Sequence, residues 1–170
     1  MDTARLPQSA HVEWQQWCPR ERGVLLFVLD GSQLLLIEKK RGLGAGKVNG
    51  PGGRIDPGES AIEAAVRETR EEVGITPIDP REVGRLRFQF LDGYSLHCTV
   101  FIASAWTGSL QETVEAKPFW VTRDAVPFDR MWADDIHWFP AMLSGQSFEG
   151  WFVFDADRML EKHLITAETP

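Results

Sequence analysis

The stretch from residue 53 to residue 75, GRIDPGESAIEAAVRETREEVGI, combines helix signals with a dense run of carboxylates. Ser60 is a favourable N-cap, and Glu63 three residues later completes a capping box. Gly74 is a natural stop at the C-terminal end. The spacing therefore predicts a helix between Ser60 and Gly74, with both ends specified by the sequence.

Three carboxylates share one face of this helix. Glu68, Glu71 and Glu72 stand at positions i, i+3 and i+4, so their side chains are neighbours. Like charges placed in this way destabilise an isolated helix. Hard divalent cations such as Mg²⁺ and Mn²⁺ prefer oxygen ligands of this kind. The pattern predicts a divalent-cation site; the alternative is a solvated charged face on which Arg67 and Arg70 form ion pairs.

A neighbouring face of the helix is apolar and is expected to pack into the core. It comprises Ile62, Ala65, Val66, Thr69 and Val73. Ala61 and Ala64 are expected on the carboxylate side, where small side chains leave room for a ligand.

The spacing of the stretch matches a known signature, the Nudix box. The matching positions are Gly53, Glu59, Arg67, Glu68, Glu71, Glu72, Gly74 and Ile75. The chain therefore resembles the Nudix hydrolases, which cleave a nucleoside diphosphate linked to another group. The resemblance implies an α+β fold, in which a mixed β-sheet is sandwiched between helices and the box forms a loop–helix–loop.

The length, the net charge and the cysteine count limit the classes of protein to which this chain can belong. A length of 170 residues predicts one domain with a substantial core. The net charge of −7 argues against binding to a nucleic-acid polymer, and a bridging cation would reconcile it with an anionic substrate. The two cysteines form no CxxC pair, which indicates a reducing compartment rather than a disulfide framework or a structural zinc.

The N-terminal residues differ from the remainder of the chain. Residues 1–20 are predicted to be an extension, and residues 21–170 a single Nudix hydrolase domain. The N-terminus lacks the apolar core of a secretory signal, and the longest apolar run, 24–29, is too short to span a bilayer. We therefore expect a cytoplasmic protein with no membrane partner, and we expect a monomer.

Apolar runs predict the strands. They cover residues 24–29, 33–38, 83–91, 94–106, 117–121, 147–154 and 159–165. Asp30-Gly31 and Asp92-Gly93 are tight-turn signals between consecutive strands. A second helix is predicted over residues 133–143, ended by Ser144-Gly145. This order of strands and helices suits an α+β sandwich.

The resemblance also implies roles for individual acidic residues. The implied metal ligands are the backbone carbonyl of Gly52 and the carboxylates Glu68, Glu71, Glu72 and Glu115. The residues expected to carry the cleavage are Glu68, Glu72, Glu115 and Arg67. Either Glu72 or Glu115 acts as the base, while Arg67 orients carboxylates and is held by Glu59. Mg²⁺ is the expected cofactor, with Mn²⁺ as the alternative.

Segments beyond the box extend the likeness over roughly residues 23–165. Residues 39–53, 127–135, 138–140 and 148–154 look like those of the 8-oxo-dGTP diphosphatases, the oxidised purine nucleoside triphosphatases. The implied substrate-binding residues are Lys39, Asn49, Gly53, Phe90, Trp132, Asp134 and Asp135. Val48 and Pro51 depart from the aromatic residues that are usual at their positions in this group.

These residue types suit recognition of an oxidised purine. Trp132 can stack on the base, but stacking barely distinguishes one base from another. Oxidation at C8 turns guanine N7 into an N–H donor, and adjacent Asp134 and Asp135, with one of them protonated, offer both an acceptor and a donor. The alternatives are that Trp132 and Phe90 are core residues, that Asn49 is a turn residue and that Asp134 is an N-cap.

The expected function is Mg²⁺-dependent hydrolysis of oxidised purine nucleoside triphosphates, of the 8-oxo-dGTP and 2-hydroxy-dATP type, to the monophosphate and pyrophosphate. This reaction would sanitise the nucleotide pool and prevent DNA damage. Two alternatives stay open. One is a Nudix hydrolase of another nucleotide, either an unmodified dNTP or a dinucleoside polyphosphate. The other is a catalytically silent nucleotide-binding regulator, which would have no need of the glutamates.

Overall fold

The structure, a computed structural model, describes residues 6–168, so that residues 1–5 and 169–170 of the two predicted segments lie outside it. The strands within this range are β1 Glu21–Asp30, β2 Gln33–Lys39, β3 Val48–Asn49, β4 Gly52–Arg54, β5 Ile75–Ile78, β6 Arg81–Phe90, β7 Ser95–Ala103, β8 Ala105–Gly108, β9 Ala116–Thr122, β10 Gln146–Asp155 and β11 Arg158–Glu168. The helices are α1 Ala61–Val73 and α2 Asp135–Leu143, with a 3-10 helix at Phe128–Arg130.

Most strands join one mixed sheet. Its order is β11-β10-β6-β7-β1-β2-β3, with β4 paired to β1 and β9 paired to β2. The pairs β1–β7 and β6–β10 are parallel, whereas the hairpins β6–β7 and β10–β11 are antiparallel. Parallel neighbours that are distant in sequence bring the central strand β1 beside β7. The mixed sheet predicted for this chain is therefore observed.

The two helices cover opposite faces of the sheet. Successive side chains of a strand point to opposite faces. Phe27 of β1 accordingly packs in the core cluster that contains Trp138 and Phe139 of α2. Its neighbours Leu26 and Val28 pack in the cluster that contains α1. The sheet thus lies between helices, as the resemblance implied. No helix among residues 6–168 is long and apolar enough to cross a membrane.

Helix α1 has the predicted ends, and Ala65, Thr69 and Val73 of its predicted apolar face are buried. Ser60 Oγ accepts from the Glu63 N–H at 3.2 Å, Glu63 Oε2 accepts from the Ser60 N–H at 3.1 Å, and Gly74 ends the helix at φ 82°. The prediction for Ile62 was wrong, because this side chain is 42% exposed. Ala64, predicted to border the ligand, is fully buried against the sheet. The buried face is rotated because it includes the carboxylate of Glu72.

The strand predicted over residues 94–106 is divided in the structure. Strand β7 ends at Ala103, and β8 leaves the large sheet to pair with β5, which the sequence did not predict. Gly74 and Gly108 both have positive φ and lie back to back, since a Cβ on Gly108 would come within 2.8 Å of the Gly74 carbonyl oxygen. This close approach draws β8 against the end of α1.

The segment before β1 packs on the outside of the sheet. Trp14 is buried against Trp151 and Val153 of β10, with Trp17 partly buried beside it. The first strand then begins at Glu21. Division of the chain at residue 20, into an extension and a domain, stays a prediction.

Candidate active site

A cavity of about 600 Å³ runs from α1 to the start of α2. Predicted site residues that line it are Lys39, Asn49, Gly52, Gly53, Glu68, Glu72, Phe90, Glu115, Trp132, Asp134 and Asp135. Arg67 and Glu71 are the two predicted site residues that do not line it. One cavity therefore joins an acidic end on α1 to a second acidic end at α2.

Glu72 is the most deeply buried carboxylate at the α1 end. Its side chain is 4% exposed, and its Oε2 accepts from the Gly52 N–H at 3.3 Å. Burial raises the pKa of Glu72 to about 8, even though the Gly52 hydrogen bond acts in the opposite direction. Burial also raises the pKa of Glu68 beside it. For both carboxylates the cost of burial outweighs the stabilisation by nearby positive charge, from Arg67 at Glu68 and from Lys39 at Glu72.

Gly53 and Gly52 allow the β4 backbone to approach its neighbours closely. A Cβ on Gly53 would lie 2.3 Å from the carboxyl carbon of Glu68. A Cβ on Gly52 would lie 2.0 Å from the carbonyl oxygen of Val24. Any side chain at either position would displace a carboxylate or a strand. Glycine here is a requirement of the packing between β4, α1 and β1.

Arg67 connects the parts of the box. Its Nε and Nη2 donate to Glu59 at 2.6 and 2.8 Å. Its Nη1 donates to Glu68 at 2.9 Å and to Glu71 at 3.2 Å. Its Nη2 also donates to the Arg54 carbonyl at 3.0 Å. This bidentate pairing lowers the pKa of Glu59 to about 2. Arg67 thus orients carboxylates from outside the cavity, as predicted for it.

Glu71 and Glu115 occupy different positions relative to the cavity. Glu71 is half exposed and is held by Arg67 on the outer side of α1, away from the cavity lining. Glu115 lies on the loop before β9 and lines the cavity, with its Oε1 accepting from Arg41 Nη2 at 2.9 Å. The carboxylates that face the cavity from this end are therefore Glu68, Glu72 and Glu115.

The donor set at this end fits a hard cation. In the described part of the chain, no three His, Cys, Asp or Glu side chains already surround one point. The available groups are nevertheless all oxygen donors, which is what Mg²⁺ and Mn²⁺ take. The raised pKa of buried Glu72 also fits a cation at this end. A positive ion nearby would offset the free-energy cost of keeping that carboxylate charged.

The α2 end of the cavity holds two adjacent buried aspartates. Asp134 is 1% exposed and Asp135 is 3% exposed. Trp138 Nε1 donates to Asp134 Oδ2 at 2.8 Å, and the two carboxyls are hydrogen-bonded to each other. Asp134 Oδ1 and Asp135 Oδ2 have no hydrogen-bond partner among the described residues. This pair offers a ligand one free oxygen from each carboxyl.

Burial raises the pKa of both aspartates, and for Asp135 the charge of Asp134 adds to the shift. Two buried carboxylates in contact cannot both ionise cheaply, so the pair favours a state in which one proton is shared between them. Capping is not the role of Asp134: it stands at the N-cap position of α2, but its side chain makes no capping hydrogen bond. The pair thus presents an acceptor and a donor.

Aromatic rings wall the same end. Trp132 lies edge-to-face with Phe90 at 6.0 Å and with Phe154 at 5.6 Å, and Lys47 Nζ stands 5.1 Å from its ring centroid. Phe90 is buried in the core and also faces the cavity. Phe90 is thus a core residue that also lines the cavity, Trp132 is a half-buried lining residue, and contact of either ring with a substrate stays a prediction.

Residues 19–142 match the family model described as the NUDIX domain. The chain belongs to the Nudix family. It is 40% identical over 142 residues to the oxidized purine nucleoside triphosphate hydrolase of Danio rerio, over 83% of this chain and 91% of that protein. The protein of the same name from Mus musculus is 38% identical over 142 residues, over 82% of this chain and 91% of its own length.

Solved Nudix structures share the architecture. The MutT protein from Bacillus halodurans superposes with a TM-score of 0.77 at 29% identity, over 85% of this chain and 97% of that one. The MutT Nudix hydrolase from Burkholderia pseudomallei gives a TM-score of 0.59 at 26% identity, over 63% and 86% of the two chains. The predicted family and fold are therefore confirmed.

This Nudix cavity also has lining residues that sequence reasoning missed. They include Leu25, Arg41, Leu43, Arg54, Tyr94, Leu96 and Cys98. Tyr94 is the single tyrosine of the chain and follows the predicted Asp92-Gly93 turn, opposite Phe90, which was the available signal. Cys98 is buried, and burial together with the charges of Asp134 and Asp135 raises the pKa of its thiol.

Asn49 and Lys39, two of the predicted substrate-binding residues, line the cavity. Asn49 of β3 faces the cavity while its Oδ1 accepts from the Gly50 N–H at 2.8 Å, so it combines a local hydrogen bond with a place in the lining. Lys39, at the end of β2, brings a positive charge near Glu72. Both residues lie between the two acidic ends of the cavity wall.

Proposed function

We propose that this Nudix protein hydrolyses oxidised purine nucleoside triphosphates, of the 8-oxo-dGTP and 2-hydroxy-dATP type, to the monophosphate and pyrophosphate. The observation that carries the proposal is the pairing of two ends in one cavity. Glu68, Glu72 and Glu115 line one end, and Asp134 and Asp135, each with one buried oxygen that has no hydrogen-bond partner among the described residues, line the other. The names of the relatives from Danio rerio and Mus musculus agree with this reaction.

The base is read at the α2 end. Trp132 supplies a stacking surface worth roughly 1–3 kcal/mol, which is nearly indifferent to the identity of the base. Discrimination then depends on Asp134 and Asp135, because their free oxygens are buried and must find partners. The N7–H that appears on C8 oxidation donates to an acceptor of this pair, whereas the bare N7 of guanine presents a lone pair to it. Asn49 contacts the base edge from β3.

The triphosphate lies toward the α1 end. We assign the cation to Glu68, Glu72, Glu115 and the Gly52 carbonyl, with Mg²⁺ as the ion and Mn²⁺ as the alternative. Glu71 is proposed as a further ligand, which requires that it leave its bond to Arg67 on the outer side of α1. When bound, it neutralises phosphate charge and lowers the pKa of a coordinated water. Arg67 fixes Glu68 in place through its 2.9 Å bond, and Lys39 supplies positive charge near the phosphates. Glu72 or Glu115 accepts the proton of the attacking water.

The proposal extends to the setting of the enzyme. Its substrate is a small nucleotide and not a nucleic-acid polymer, which the net charge of −7 supports. We place it in the cytoplasm, as a monomer, and free Cys18 and Cys98 are consistent with a reducing compartment.

The decisive experiment measures pyrophosphate release from 8-oxo-dGTP, 2-hydroxy-dATP, dGTP and dinucleoside polyphosphates with Mg²⁺. Wild type should prefer the oxidised purines, and Glu72→Gln should lose at least about a hundredfold in kcat because a buried ligand and candidate base is removed. Equal turnover of dGTP and 8-oxo-dGTP would point to the hydrolase of another nucleotide. Nucleotide binding without any turnover by wild type would point to the silent regulator.

Base recognition is tested separately with Asp134→Asn and Asp135→Asn. We expect the ratio of kcat/KM for 8-oxo-dGTP to that for dGTP to change by about tenfold or more, because a buried acceptor or donor is exchanged. The affinity for the cation, followed by Mn²⁺ titration, should stay as in wild type. If neither variant alters the ratio, the base pocket has been assigned wrongly.

A further inference from the structure

The segment before β1 is anchored on the outer face of the sheet. We call residues 14–21 the anchor segment; its last residue, Glu21, is also the first residue of β1. Trp14 is buried against Trp151 and Val153, and the Trp17 ring lies 5.4 Å from the Trp14 ring at 59°. These contacts fix the position of Trp17 relative to the sheet. Nothing in the proposed reaction uses this segment, so its contacts need a separate explanation.

A partly buried chain of hydrogen bonds leads from Trp17 into the β6–β7 hairpin. Trp17 Nε1 donates to Gln89 Oε1 at 2.9 Å. Gln89 Nε2 then donates to the carbonyl of Phe90 at 2.9 Å and to that of Tyr94 at 3.2 Å. The indole N–H can only donate and the two carbonyls can only accept, so the amide orientation of Gln89 is determined. Its oxygen and both its N–H groups are thereby used.

Two more bonds tie the anchor segment to the same hairpin. The Arg20 N–H donates to Ser95 Oγ at 2.9 Å, and Ser95 is 2% exposed. The Tyr94 hydroxyl donates to Glu21 Oε2 at 2.7 Å. The anchor segment therefore holds both sides of the turn that joins β6 to β7.

The hairpin held in this way forms one wall of the cavity. Phe90 and Tyr94 both line it, and their rings lie 5.6 Å apart. Phe90 in turn packs edge-to-face on Trp132 at 6.0 Å. Trp17 and Gln89 do not line the cavity. A shift of the turn would thus move the rings that define the base end, without any change in the carboxylates on α1.

We propose that Trp17 and Gln89 are positioning residues for the base pocket, an inference that rests on the proposed function. They hold Phe90 and Tyr94 at the spacing that lets Trp132 stack on the purine. Loss of this hydrogen-bond chain weakens nucleotide binding and leaves the cleavage step almost unchanged. A segment that served only stability would instead lower the melting temperature with no effect on substrate affinity.

The test compares Trp17→Phe, Gln89→Leu and the double variant with wild type. Trp17→Phe keeps an aromatic ring but removes the donor, and Gln89→Leu removes the whole bridge. Each should raise KM for 8-oxo-dGTP about three- to tenfold, the range that one lost hydrogen bond allows, with kcat within about twofold of wild type. The double variant should be no worse than Gln89→Leu, because the two residues act through one bond.

Trp106→Phe is the matched control. Trp106 is likewise half buried and packs on another tryptophan, Trp120 of β9, at 5.6 Å, and neither of these two residues lines the cavity. Its KM should equal that of wild type. Ser95→Ala removes the Arg20 bond instead and should raise KM in the same direction, so the inference stays testable if Trp17→Phe fails to fold.

A second readout separates this inference from the proposed reaction. Calorimetric affinity for the product, 8-oxo-dGMP, needs no turnover and should fall about three- to tenfold in Trp17→Phe and Gln89→Leu. If wild type binds the product but hydrolyses no nucleotide, the proposed function fails and the affinities still decide the inference. Unchanged KM and product affinity in folded variants, or an equal effect of Trp106→Phe, would overturn it. Absence of product binding by wild type would overturn it as well.

Discussion

At the residue scale, Asp134 and Asp135 combine two costs that a protein usually avoids. Both carboxyls are almost fully buried, and they touch each other. A shared proton relieves the repulsion, and the Trp138 N–H at 2.8 Å stabilises the remaining charge on Asp134. One oxygen of each carboxyl still has no hydrogen-bond partner among the described residues. The pair is therefore suited to recognition and unfavourable for stability.

That cost predicts a pH dependence of folding. Burial raises the folded pKa of Asp135 well above the value of about 3.9 in an unfolded chain. Stability from this group is thus fully present below about pH 4 and is lost as pH rises toward the folded pKa. Asp135→Asn cannot ionise, so its free energy of unfolding relative to wild type should increase with pH, by up to about 1.4 kcal/mol per pH unit in this window.

Denaturant unfolding at several pH values between about 4 and 7 measures this difference. Asp124→Asn, at an exposed aspartate, is the control and should follow wild type throughout. A gap between Asp135→Asn and wild type that is constant with pH would show that the buried carboxyl does not hold its proton in the way the structure indicates.

Sequence reasoning found these aspartates because two acidic residues after a tryptophan matched a known pattern. It did not find Tyr94 or Arg41, which line the same cavity. Tyr94 comes to the site because β7 pairs with β6 and its hydroxyl reaches Glu21 of β1. Contacts between residues 73 positions apart leave no local pattern in the sequence.

At the scale of elements, the junction of β4 and α1 decides where the carboxylates lie. Gly53 faces Glu68 so closely that a Cβ would come within 2.3 Å of its carboxyl carbon. Gly53→Ala should therefore displace Glu68 while the strand keeps its pairing with Val24. We expect kcat to fall by about tenfold to a hundredfold, as for a misplacement of about 1 Å, and the Mg²⁺ requirement to rise.

The comparison that isolates this effect is Gly58→Ala in the same loop. A Cβ on Gly58 would meet nothing within 4 Å, but its φ of +80° makes alanine strained by about 1 kcal/mol. That variant should lose some stability and keep its Mg²⁺ dependence in pyrophosphate release. If Gly53→Ala behaves in the same way as Gly58→Ala, the contact with Glu68 is not what requires glycine.

The ends of α1 were predictable because a capping box and an αL glycine are local signals. Its buried face was predicted in part: Ala65, Thr69 and Val73 are buried as expected, but tertiary contacts override the apolar pattern at other positions. Glu72 turns inward to the Gly52 N–H, and the helix rotates so that Ala64 meets the sheet and Ile62 meets solvent. The pairing of β5 with β8 was missed for the same reason, since it depends on the contact between Gly74 and Gly108.

At the scale of the whole molecule, the chain brings two acidic ends to one cavity although its net charge is already −7. The parallel pairing of β1 with β7 connects them, since β1 pairs with β4 at the box and β7 carries Cys98 beside the aspartates. The box spacing predicted the family and the first end. The folded sheet alone determines the distance between the two ends of the cavity and which carboxylates face the cavity.

This arrangement predicts that Glu72 lowers the stability of the metal-free protein, although the proposed function requires it. Glu72 is buried in the absence of a cation, and burial raises its pKa to about 8, so at neutral pH its carboxyl must take up a proton on folding, which lowers the free energy of unfolding. Glu72→Gln should therefore raise the metal-free stability, on the order of 1–3 kcal/mol at neutral pH. Wild type, in contrast, should gain in melting temperature as Mg²⁺ is added, because the ion binds only the folded state.

Thermal unfolding with and without Mg²⁺ checks both halves of this prediction in one experiment. Glu72→Gln should begin above wild type in EDTA and gain little from Mg²⁺, so that the two curves cross as the ion concentration rises. Glu13→Gln, at an exposed glutamate, should track wild type in both conditions. A lower metal-free melting temperature for Glu72→Gln would contradict this prediction. It would mean that the hydrogen bond from the Gly52 N–H to Glu72 outweighs the cost of burying the carboxyl, so that Glu72 stabilises the metal-free fold.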